Sequence, residues 1–394
     1  MIKNIIIAII LFAGFSSCKN TSGGTELNTD SLSTDNGLPL ADTANLPLEK
    51  IKLPAGFKIS IYANGIPNAR SMVLSDNGIL YVGNREGNKV FAVVDENKDF
   101  KADKKYIIAD NMRMPNGVAI KNGDLYVAEV SKIWKFSDID HNYNKNPKPV
   151  LIYDKFPTDD HHGWKFIAFG PDGKLYVPVG APCNICERTD NPVYASITRL
   201  NDDGSGFEVF ASGVRNSVGF AWHPVDNSFW FTDNGRDMLG DDLPSDELNC
   251  ATQAGMHFGY PYCHQGDTKD PEFGSIKPCS DFTPPARNLG AHVAALGMRF
   301  YTGNMFPQEY KNQIFIAEHG SWNRTKKSGY NVSLVKLNDH QATSNEIFAG
   351  GWLDEATQNV WGRPVDVLVM PDGSLLVSDD MAGVIYRITY SQNP

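Results

Sequence analysis

Positive charge is scarce in this sequence, and nowhere does it gather into a basic run. The 394 residues include 36 lysines and arginines against 46 aspartates and glutamates, so the formal net charge is −10. Because proteins hold a nucleic-acid backbone with grouped Lys and Arg side chains, this balance excludes nucleic acid as an expected partner. With 41% hydrophobic and 11% aromatic residues, the chain is instead typical of a globular protein with a large core.

The sequence also has no apolar run of membrane-spanning length. The segment IIIAIILFAGF at 5–15 follows Lys3 and is shorter than the roughly 20 residues that a spanning helix needs. It predicts a secretory signal peptide over 1–17. Phe-Ser-Ser-Cys resembles a bacterial lipobox, so we expect a lipid anchor at Cys18, with an ordinary signal and an incidental cysteine as the alternative. Residues 18–45 are polar and aperiodic and predict a flexible tether, and the protein is expected to be exported as a periplasmic or outer-membrane-anchored lipoprotein.

Cysteine is sparse as well, with five residues after the lipobox. In an oxidising compartment disulfides are the default expectation, and an odd count leaves one thiol free. The predicted pairs are Cys183 with Cys186 and Cys263 with Cys279, with Cys250 left over. Zinc ligation by these thiols is the alternative. The CNIC segment is not a haem-attachment motif, because Glu187 stands where that motif requires histidine.

A turn followed by an apolar or aromatic triplet recurs six times along the chain. The middle residues of the triplets are Tyr81, Tyr126, Tyr176, Trp230, Phe315 and Leu376. Their spacings of 45, 50, 54, 85 and 61 residues suit four short strands each, and Asp-Gly or Asn-Gly pairs before several triplets are typical of tight hairpins. The pattern predicts an all-β fold, a six-bladed β-propeller over 46–394, rather than one or two β-sandwiches. The long intervals predict loop insertions on one face, at 232–300 and 317–370.

Six segments carry motifs in a characteristic order. They are HHGWKFIAFGPDGKLYV (161–177), GVRNSVGFAWHP (213–224), DNGRDMLGDDLPSDELN (233–249), HFGYPYCH (257–264), AEHGSWNR (317–324) and GRPVDVLVMPDGSLLVSDD (362–380). Together they resemble the glucose/sorbosone dehydrogenase family, and PCNIC, HFGYPYCH and HGSWNR resemble its sorbosone-dehydrogenase-like branch. The resemblance covers essentially the whole predicted propeller. It implies a soluble six-bladed enzyme that uses pyrroloquinoline quinone (PQQ) and Ca²⁺.

Two adjacent histidines open the first of these segments. His162 lies eight residues before Gly170, where the resemblance implies the catalytic base. A neutral imidazole is suited to removing a proton from a substrate hydroxyl while hydride leaves the same carbon. His161 is interpreted as a surface neighbour, and Asp159 or Asp160 is expected to orient the imidazole.

PQQ is a flat quinone with three carboxylates, so its site requires cations and planar hydrogen-bonding groups. The resemblance implies that Arg215 and Asn216 hold a carboxylate and a quinone-side oxygen. The other cofactor contacts are expected from Asn234, Arg363, His292, His319, Arg324 and Lys165. For Lys165 a simple solvated position is the alternative, and for Arg215 a salt bridge at the rim.

Hard cations take oxygen ligands, and backbone carbonyls are among them. The resemblance implies that Gly235 and Arg236 present their carbonyls to Ca²⁺ and that Asp246 supports the metal site. The family's glucose enzyme has proline at the position of Arg236, although ligation through the backbone tolerates a change of side chain. A solvated acidic loop is the alternative for this segment.

These expectations together predict PQQ-dependent oxidation of a sugar, an aldose or a related alcohol or aldehyde, with His162 as the base. Since the chain has no haem motif, the electrons are expected to pass to an external acceptor, a cytochrome or the quinone pool. A calcium-dependent propeller hydrolase of the gluconolactonase type is one alternative. A non-catalytic surface lipoprotein that binds glycan is the other.

Overall fold

The structure of the protein is a computed structural model that describes residues 37–40, 45–339 and 341–392. The predicted signal peptide, Cys18 and most of the predicted tether lie outside these residues. The described part is almost all strand, with one short α-helix, α1 (Ile139–Asn142), and 3₁₀ turns at Leu48–Lys50, Cys279–Asp281 and Gln308–Tyr310. None of the helices in these ranges has the length and apolar character to cross a membrane.

Two strands precede the first complete blade, and three blades of four antiparallel strands then follow one another. The leading strands are β1 (Leu38–Pro39) and β2 (Phe57–Ala63). The first blade comprises β3 (Ala69–Leu74), β4 (Leu80–Asn84), β5 (Val90–Val94) and β6 (Lys104–Ala109). The second comprises β7 (Gly117–Lys121), β8 (Asp124–Ala128), β9 (Ile133–Phe136) and β10 (Val150–Tyr153). The third comprises β11 (Ala168–Phe169), β12 (Leu175–Val179), β13 (Ser196–Leu200) and β14 (Glu208–Ser212).

The remaining blades complete the ring. The fourth comprises β15 (Phe220–Trp222), β16 (Phe229–Asp233), β17 (Ser245–Ala251) and, after a hairpin of β18 (Cys263–His264) and β19 (Thr268–Lys269), β20 (Arg287–Ala291). The fifth comprises β21 (Ala295–Phe300), β22 (Ile314–Glu318), β23 (Asn331–Asn338) and β24 (Gln341–Ala349). The sixth comprises β25 (Pro364–Val369), β26 (Leu375–Asp379) and β27 (Val384–Tyr390), and β2 is its outer strand. Because β2 and β27 come from opposite ends of the domain, their pairing closes the ring, and the predicted six-bladed β-propeller is confirmed.

Apolar clusters fill the gaps between neighbouring blades, and the middle residue of each repeated triplet packs into a different cluster. In order around the ring the buried residues are Tyr81, Tyr126, Tyr176, Trp230, Phe315 and Leu376. Each lies on the second strand of its blade, which is covered by neighbouring blades on both faces. A strand buried on both faces reads as a continuous apolar run rather than an alternating one, which explains why the triplets were visible in the sequence.

Two predictions concern the less regular parts of the chain. Leu38 and Pro39, which lie within the predicted flexible tether 18–45, pair with Lys105 and Lys104 at the edge of the first blade. Both predicted insertions are long connections. They are 234–244 and 252–286 in the fourth blade, and 319–330 and 350–363 around the outer strands of the fifth.

Both predicted disulfides are present, and Cys250 is free. Cys183–Cys186 closes a tight loop in the connection from β12 to β13, and Cys263–Cys279 closes the 252–286 insertion. With four of the five thiols paired in disulfides, the zinc alternative is wrong.

Candidate active site

Each blade brings two of its connections to the same edge. Adjacent strands are antiparallel, so the segment entering the innermost strand lies beside the segment leaving the second strand. Ala69 pairs with Asn84 in the first blade in this way, and Pro364 with Asp379 in the sixth. Such segments from all six blades line a cavity of about 570 Å³, called the site cavity below.

Nine of the twelve predicted site residues line the site cavity. They are His162, Arg215, Asn216, Asn234, Gly235, Asp246, His292, His319 and Arg363. Residues as far apart in the sequence as His162 and Arg363 therefore meet, because every blade repeats the same geometry. Lys165, Arg236 and Arg324 are turned elsewhere.

His162 is buried in the cavity wall, and one hydrogen bond sets its tautomer. Its Nδ1 lies 2.9 Å from the carbonyl oxygen of Ala181. Since a carbonyl only accepts, Nδ1 carries the proton and donates it, and the neutral ring keeps its lone pair at Nε2. Burial and then the charge of Arg215 hold the pKa of His162 well below its ordinary value. The ring is therefore neutral near pH 7 and able to accept a proton at Nε2.

The surroundings of His162 correct one prediction. Asp159 or Asp160 was expected to orient the ring, but Asp160 pairs with Arg113 at 2.7 Å and Asp159 accepts from the Tyr194 hydroxyl. The orienting group is a backbone carbonyl instead. His162 packs directly against Gly180, which follows β12. This position requires glycine, because a Cβ there would lie 2.5 Å from the His162 Cβ.

Arg215 is held in a fixed orientation by two connections. Its Nε and Nη2 donate to the backbone oxygen and to Oδ1 of Asn184, each at 2.9 Å, and Nη2 also pairs with Asp237 at 3.1 Å. The backbone N–H groups of Arg215 and Asn216 donate to the two carboxylate oxygens of Asp233. Burial raises the pKa of Asp233 to about 7, and these bonds work against the rise.

Arg363 and His319 form a second fixed cluster. The Arg363 Nε and Nη2 donate to the carbonyls of His319 and Gly320 at 3.0 and 2.9 Å. The His319 Nε2 lies 2.8 Å from Asp380, which also pairs with Arg70 at 2.7 Å. Burial lowers the pKa of His319 to about 4. Burial would raise the pKa of the Asp380 carboxyl, but the contacts with His319 and Arg70 outweigh it and lower that pKa overall.

Two cavity arginines were missed from the sequence, Arg70 and Arg85. Arg85 stacks on the ring of Trp164, 4.0 Å from its centroid. Its Nε is buried and has no hydrogen-bond partner among the described residues. The signal that would have found it is positional, since Arg85 directly follows β4 just as Asn234 directly follows β16.

The predicted calcium segment is anchored by Asp246. Its two carboxylate oxygens accept the backbone N–H groups of Gly235 at 2.9 Å and Ala295 at 3.1 Å, and the Asn234 amide donates to the Ala295 carbonyl. Burial raises the pKa of Asp246 to about 6. Within the described ranges, no group of three or more His, Cys, Asp or Glu side chains is arranged to hold a metal ion.

Three predicted contacts face away from the cavity or only frame it. The Arg236 side chain pairs with buried Asp270 at 2.6 Å, so only its backbone remains a candidate ligand. The Arg324 side chain, predicted to bind cofactor, instead donates to Asp241 O and Asp242 across the cavity rim, each at 2.9 Å. His292 lines the cavity, with its Nε2 donating to Gly240 O at 2.8 Å.

Neither prediction for Lys165 is correct. Its side chain is buried between the second and third blades, where Nζ donates to Gly163 O at 3.1 Å and lies 5.4 Å from the Phe156 ring centroid. It is neither solvated nor part of the site cavity. Burial lowers the pKa of Lys165 to about 7.

Lys165→Met is expected to flatten the pH dependence of stability and leave ligand binding at the cavity unchanged. Because the folded pKa is lowered from 10.5 to about 7, the unfolded chain binds more protons between these values. The wild type therefore gains stability as pH rises through this range, and the variant lacks that gain. The measurement is Tm at about pH 7 and about pH 9, with exposed Lys326→Met as control. An equal rise of Tm in Lys165→Met and wild type would contradict this assignment.

A larger cavity, about 770 Å³, lies at the opposite ends of the inner strands. Its lining is mainly apolar side chains and strand backbone, and Arg299 there contacts buried Asp366. It lacks the convergent cations and histidines of the site cavity.

The fold and the site define a six-bladed propeller whose site cavity is lined by guanidinium groups and by one neutral, buried imidazole, that of His162. The chain belongs to the TrAA12-like family, whose model matches residues 51–391. Together with the relatives and the solved structure described next, this match confirms the resemblance to sugar dehydrogenases that the motifs indicated.

The chain is also similar to two known proteins and shares its fold with a solved structure. An uncharacterized protein of Borreliella burgdorferi is 35% identical over 356 residues, 87% of this chain and 91% of that protein. Aldose sugar dehydrogenase YliI of Escherichia coli is 25% identical over 255 residues, 60% of this chain and 62% of that protein. The holo form of the pyranose dehydrogenase PQQ domain from Coprinopsis cinerea shares the fold with a TM-score of 0.73 at 18% identity, covering 86% of this chain and 97% of that one.

Proposed function

We propose that this chain is a PQQ-dependent sugar dehydrogenase in which His162 accepts the proton of the substrate hydroxyl. The observation that carries the proposal is the combination, in one cavity, of a neutral buried imidazole and four arginines. The arginines are Arg70, Arg85, Arg215 and Arg363. The Escherichia coli relative, an aldose sugar dehydrogenase, supports the substrate class.

The charges of the site cavity fit a polyanionic cofactor. The lining aspartates are Asp160, Asp237 and Asp246, and each is engaged by an arginine or by backbone N–H groups of the protein. Within the described ranges the guanidinium groups of Arg85 and Arg363 form no salt bridge, and Arg363 donates to two backbone carbonyls instead. A volume of about 570 Å³ also lies in the range of small-molecule sites. Carboxylates of PQQ would supply the missing counter-charges through charge-assisted hydrogen bonds.

PQQ, when bound, supplies a hydride acceptor. The chain's own contribution is to bind, orient and move a proton. Nε2 of His162 accepts the hydroxyl proton, while the bond from Nδ1 to Ala181 keeps the ring in one orientation. Since burial and Arg215 disfavour the charged ring, His162 releases the proton readily and returns to its neutral form. The arginines hold the cofactor in register with this base.

The proposal also covers the metal ion, the electron acceptor and the cellular location of the protein. Ca²⁺ would be held through the carbonyls of Gly235 and Arg236, with Asp246 fixing the backbone at Gly235. The reduced cofactor would pass its electrons to an external cytochrome or to the quinone pool. The apolar start of the chain and the lipobox-like segment support export and a lipid anchor at Cys18.

The test is reconstitution of the purified full chain with PQQ and Ca²⁺, followed by a panel of aldoses, other pyranoses and polyols with an artificial electron acceptor. The proposal predicts sugar-dependent dye reduction that requires PQQ and is lost when a chelator is added before loading. Absence of PQQ-stimulated reduction with every sugar, despite a folded protein by circular dichroism, would overturn it.

A further inference from the structure

The loop closed by Cys183 and Cys186 carries a residue that controls the Arg215 guanidinium. Asn184 accepts from Arg215 twice, through its backbone oxygen to Nε and through Oδ1 to Nη2, each at 2.9 Å. The Nη1 group donates to the Asn234 carbonyl at 3.2 Å. A guanidinium has fixed donor directions, so two bonds to one residue set its plane as well as its position.

Asn184 also joins this loop to the neighbouring blade. Its Oδ1 accepts the Asp237 N–H at 2.8 Å, and its Nδ2 donates to the Asp237 carbonyl at 3.1 Å. Asp237 in turn pairs with Arg215 at 3.1 Å. The three residues therefore form a closed triangle in which Asn184 contacts both charged partners and bridges the third and fourth blades.

The disulfide and the fourth-blade insertion hold the loop itself. The Cys186 N–H donates to the Tyr260 hydroxyl at 3.0 Å, and the Cys183 Sγ lies 3.5 Å from the same oxygen. Tyr260 is buried in the 252–286 insertion. Asn184 is thus presented to the cavity wall by a short cross-linked loop that is fixed from outside.

We propose that Asn184 is the positioning residue of Arg215 and that the Cys183–Cys186 disulfide keeps it in place. Its function is to aim the guanidinium at an anionic group of the bound cofactor, so the inference rests on the proposed function. Without the Asn184 side chain, Arg215 keeps its charge and its pairing with Asp237 but loses the acceptor that sets the angle of Nη2. Asn184 itself does not need to touch the ligand.

The test is an equilibrium titration of the folded, Ca²⁺-loaded protein with PQQ, followed by quenching of tryptophan fluorescence, since Trp164 and Trp322 line the cavity. Asn184→Ala is expected to raise the Kd about 10- to 100-fold, the value of a charge-assisted hydrogen bond. Asn184→Asp keeps an oxygen acceptor for Nη2 but adds a negative charge beside the anion-binding guanidinium, so the neutral amide variant Asn184→Gln is the one expected to recover part of the affinity.

A double-mutant cycle separates positioning from a general structural role. Arg215→Lys removes the pair of guanidinium donors, Nε and Nη2, that Asn184 accepts. In this background Asn184→Ala is expected to have almost no further effect on the Kd for PQQ. Additive effects of the two substitutions would overturn the proposal, because Asn184 would then act independently of Arg215. Asn288→Ala is the matched control, an exposed asparagine on the outer strand of the fourth blade.

A disulfide variant and a comparison with wild-type binding complete the test. The double variant Cys183→Ser, Cys186→Ser is expected to weaken PQQ binding in the same direction, and unchanged affinity would overturn the role of the disulfide. If the wild type shows no saturable binding, the proposed cofactor is wrong. If the wild type binds and Asn184→Ala binds equally well with an unchanged Tm, only the positioning role is wrong.

Discussion

Replacing His162 by alanine is expected to lower kcat of the PQQ-loaded enzyme about 10²- to 10⁴-fold, the range that general-base catalysis contributes. The tautomer and the charge of the His162 imidazole are both set for accepting a proton at Nε2. Nδ1 donates to Ala181 O at 2.9 Å, and burial keeps the ring neutral. Because the substitution removes no cation, PQQ affinity should change little. Steady-state kinetics and a PQQ titration on the same preparation measure both quantities.

The pH profile distinguishes loss of a base from loss of structure. The pKa of His162 is lowered well below 6.5, so the wild type should stay fully active as the pH falls to 6.5. Its activity should be lost only at a lower pH, where the ring becomes protonated. His162→Ala should lack this acidic limb. Exposed His141, paired with Asp138 on the second blade, gives the matched control His141→Ala. A kcat for His162→Ala within about threefold of wild type would rule out His162 as the base.

Arg85→Gln is expected to weaken PQQ binding about 10- to 100-fold, with a smaller change in kcat of the loaded enzyme. Arg85 reaches the site cavity beside Trp164, and its buried Nε has no partner among the described residues. A buried guanidinium nitrogen without a hydrogen-bond partner destabilises the unliganded protein. A ligand carboxylate that accepts from it therefore binds through both a hydrogen bond and the attraction of opposite charges. The measurement is the PQQ Kd at two salt concentrations, since the wild type should lose more affinity with salt than the variant.

The control for Arg85→Gln is Arg188→Gln, which removes a half-buried guanidinium that pairs with Asp190 on the protein surface. It lowers the net charge by the same amount without altering the cavity. Equal Kd values for Arg85→Gln and Arg188→Gln would show that Arg85 contributes only through long-range charge, and the proposed direct contact would be wrong.

The fold was predictable because the second strand of every blade is buried on both faces. Tyr81, Trp230 and the other marked residues therefore stood in apolar triplets that no exposed strand would show. The site was predictable where a motif sits at a blade's cavity edge, as GVRN does around Arg215 and HHGW does around His162. The closing strand β2 was not predicted, since pairing between chain ends leaves no local pattern.

The failures at the site share a physical cause, which is that sequence position does not fix the direction of a side chain outside a regular strand. Lys165 is three residues from His162 yet turns into the gap between blades. Arg324 follows Trp322 by two residues and closes on Asp242 rather than on the cavity. The carbonyl of Ala181, which orients His162, has no side-chain signature at all.

We propose above all that the arginine-lined site cavity of this propeller binds PQQ beside the neutral side chain of His162. The most direct measurement is a titration of the purified, Ca²⁺-loaded full chain with PQQ under equilibrium conditions, with His162→Ala and Arg85→Gln titrated in parallel. We expect saturable binding of one PQQ per chain, retained in His162→Ala and weakened in Arg85→Gln. The absence of saturable binding to the folded wild-type protein, or binding that Arg85→Gln leaves unchanged while His162→Ala abolishes it, would contradict the account.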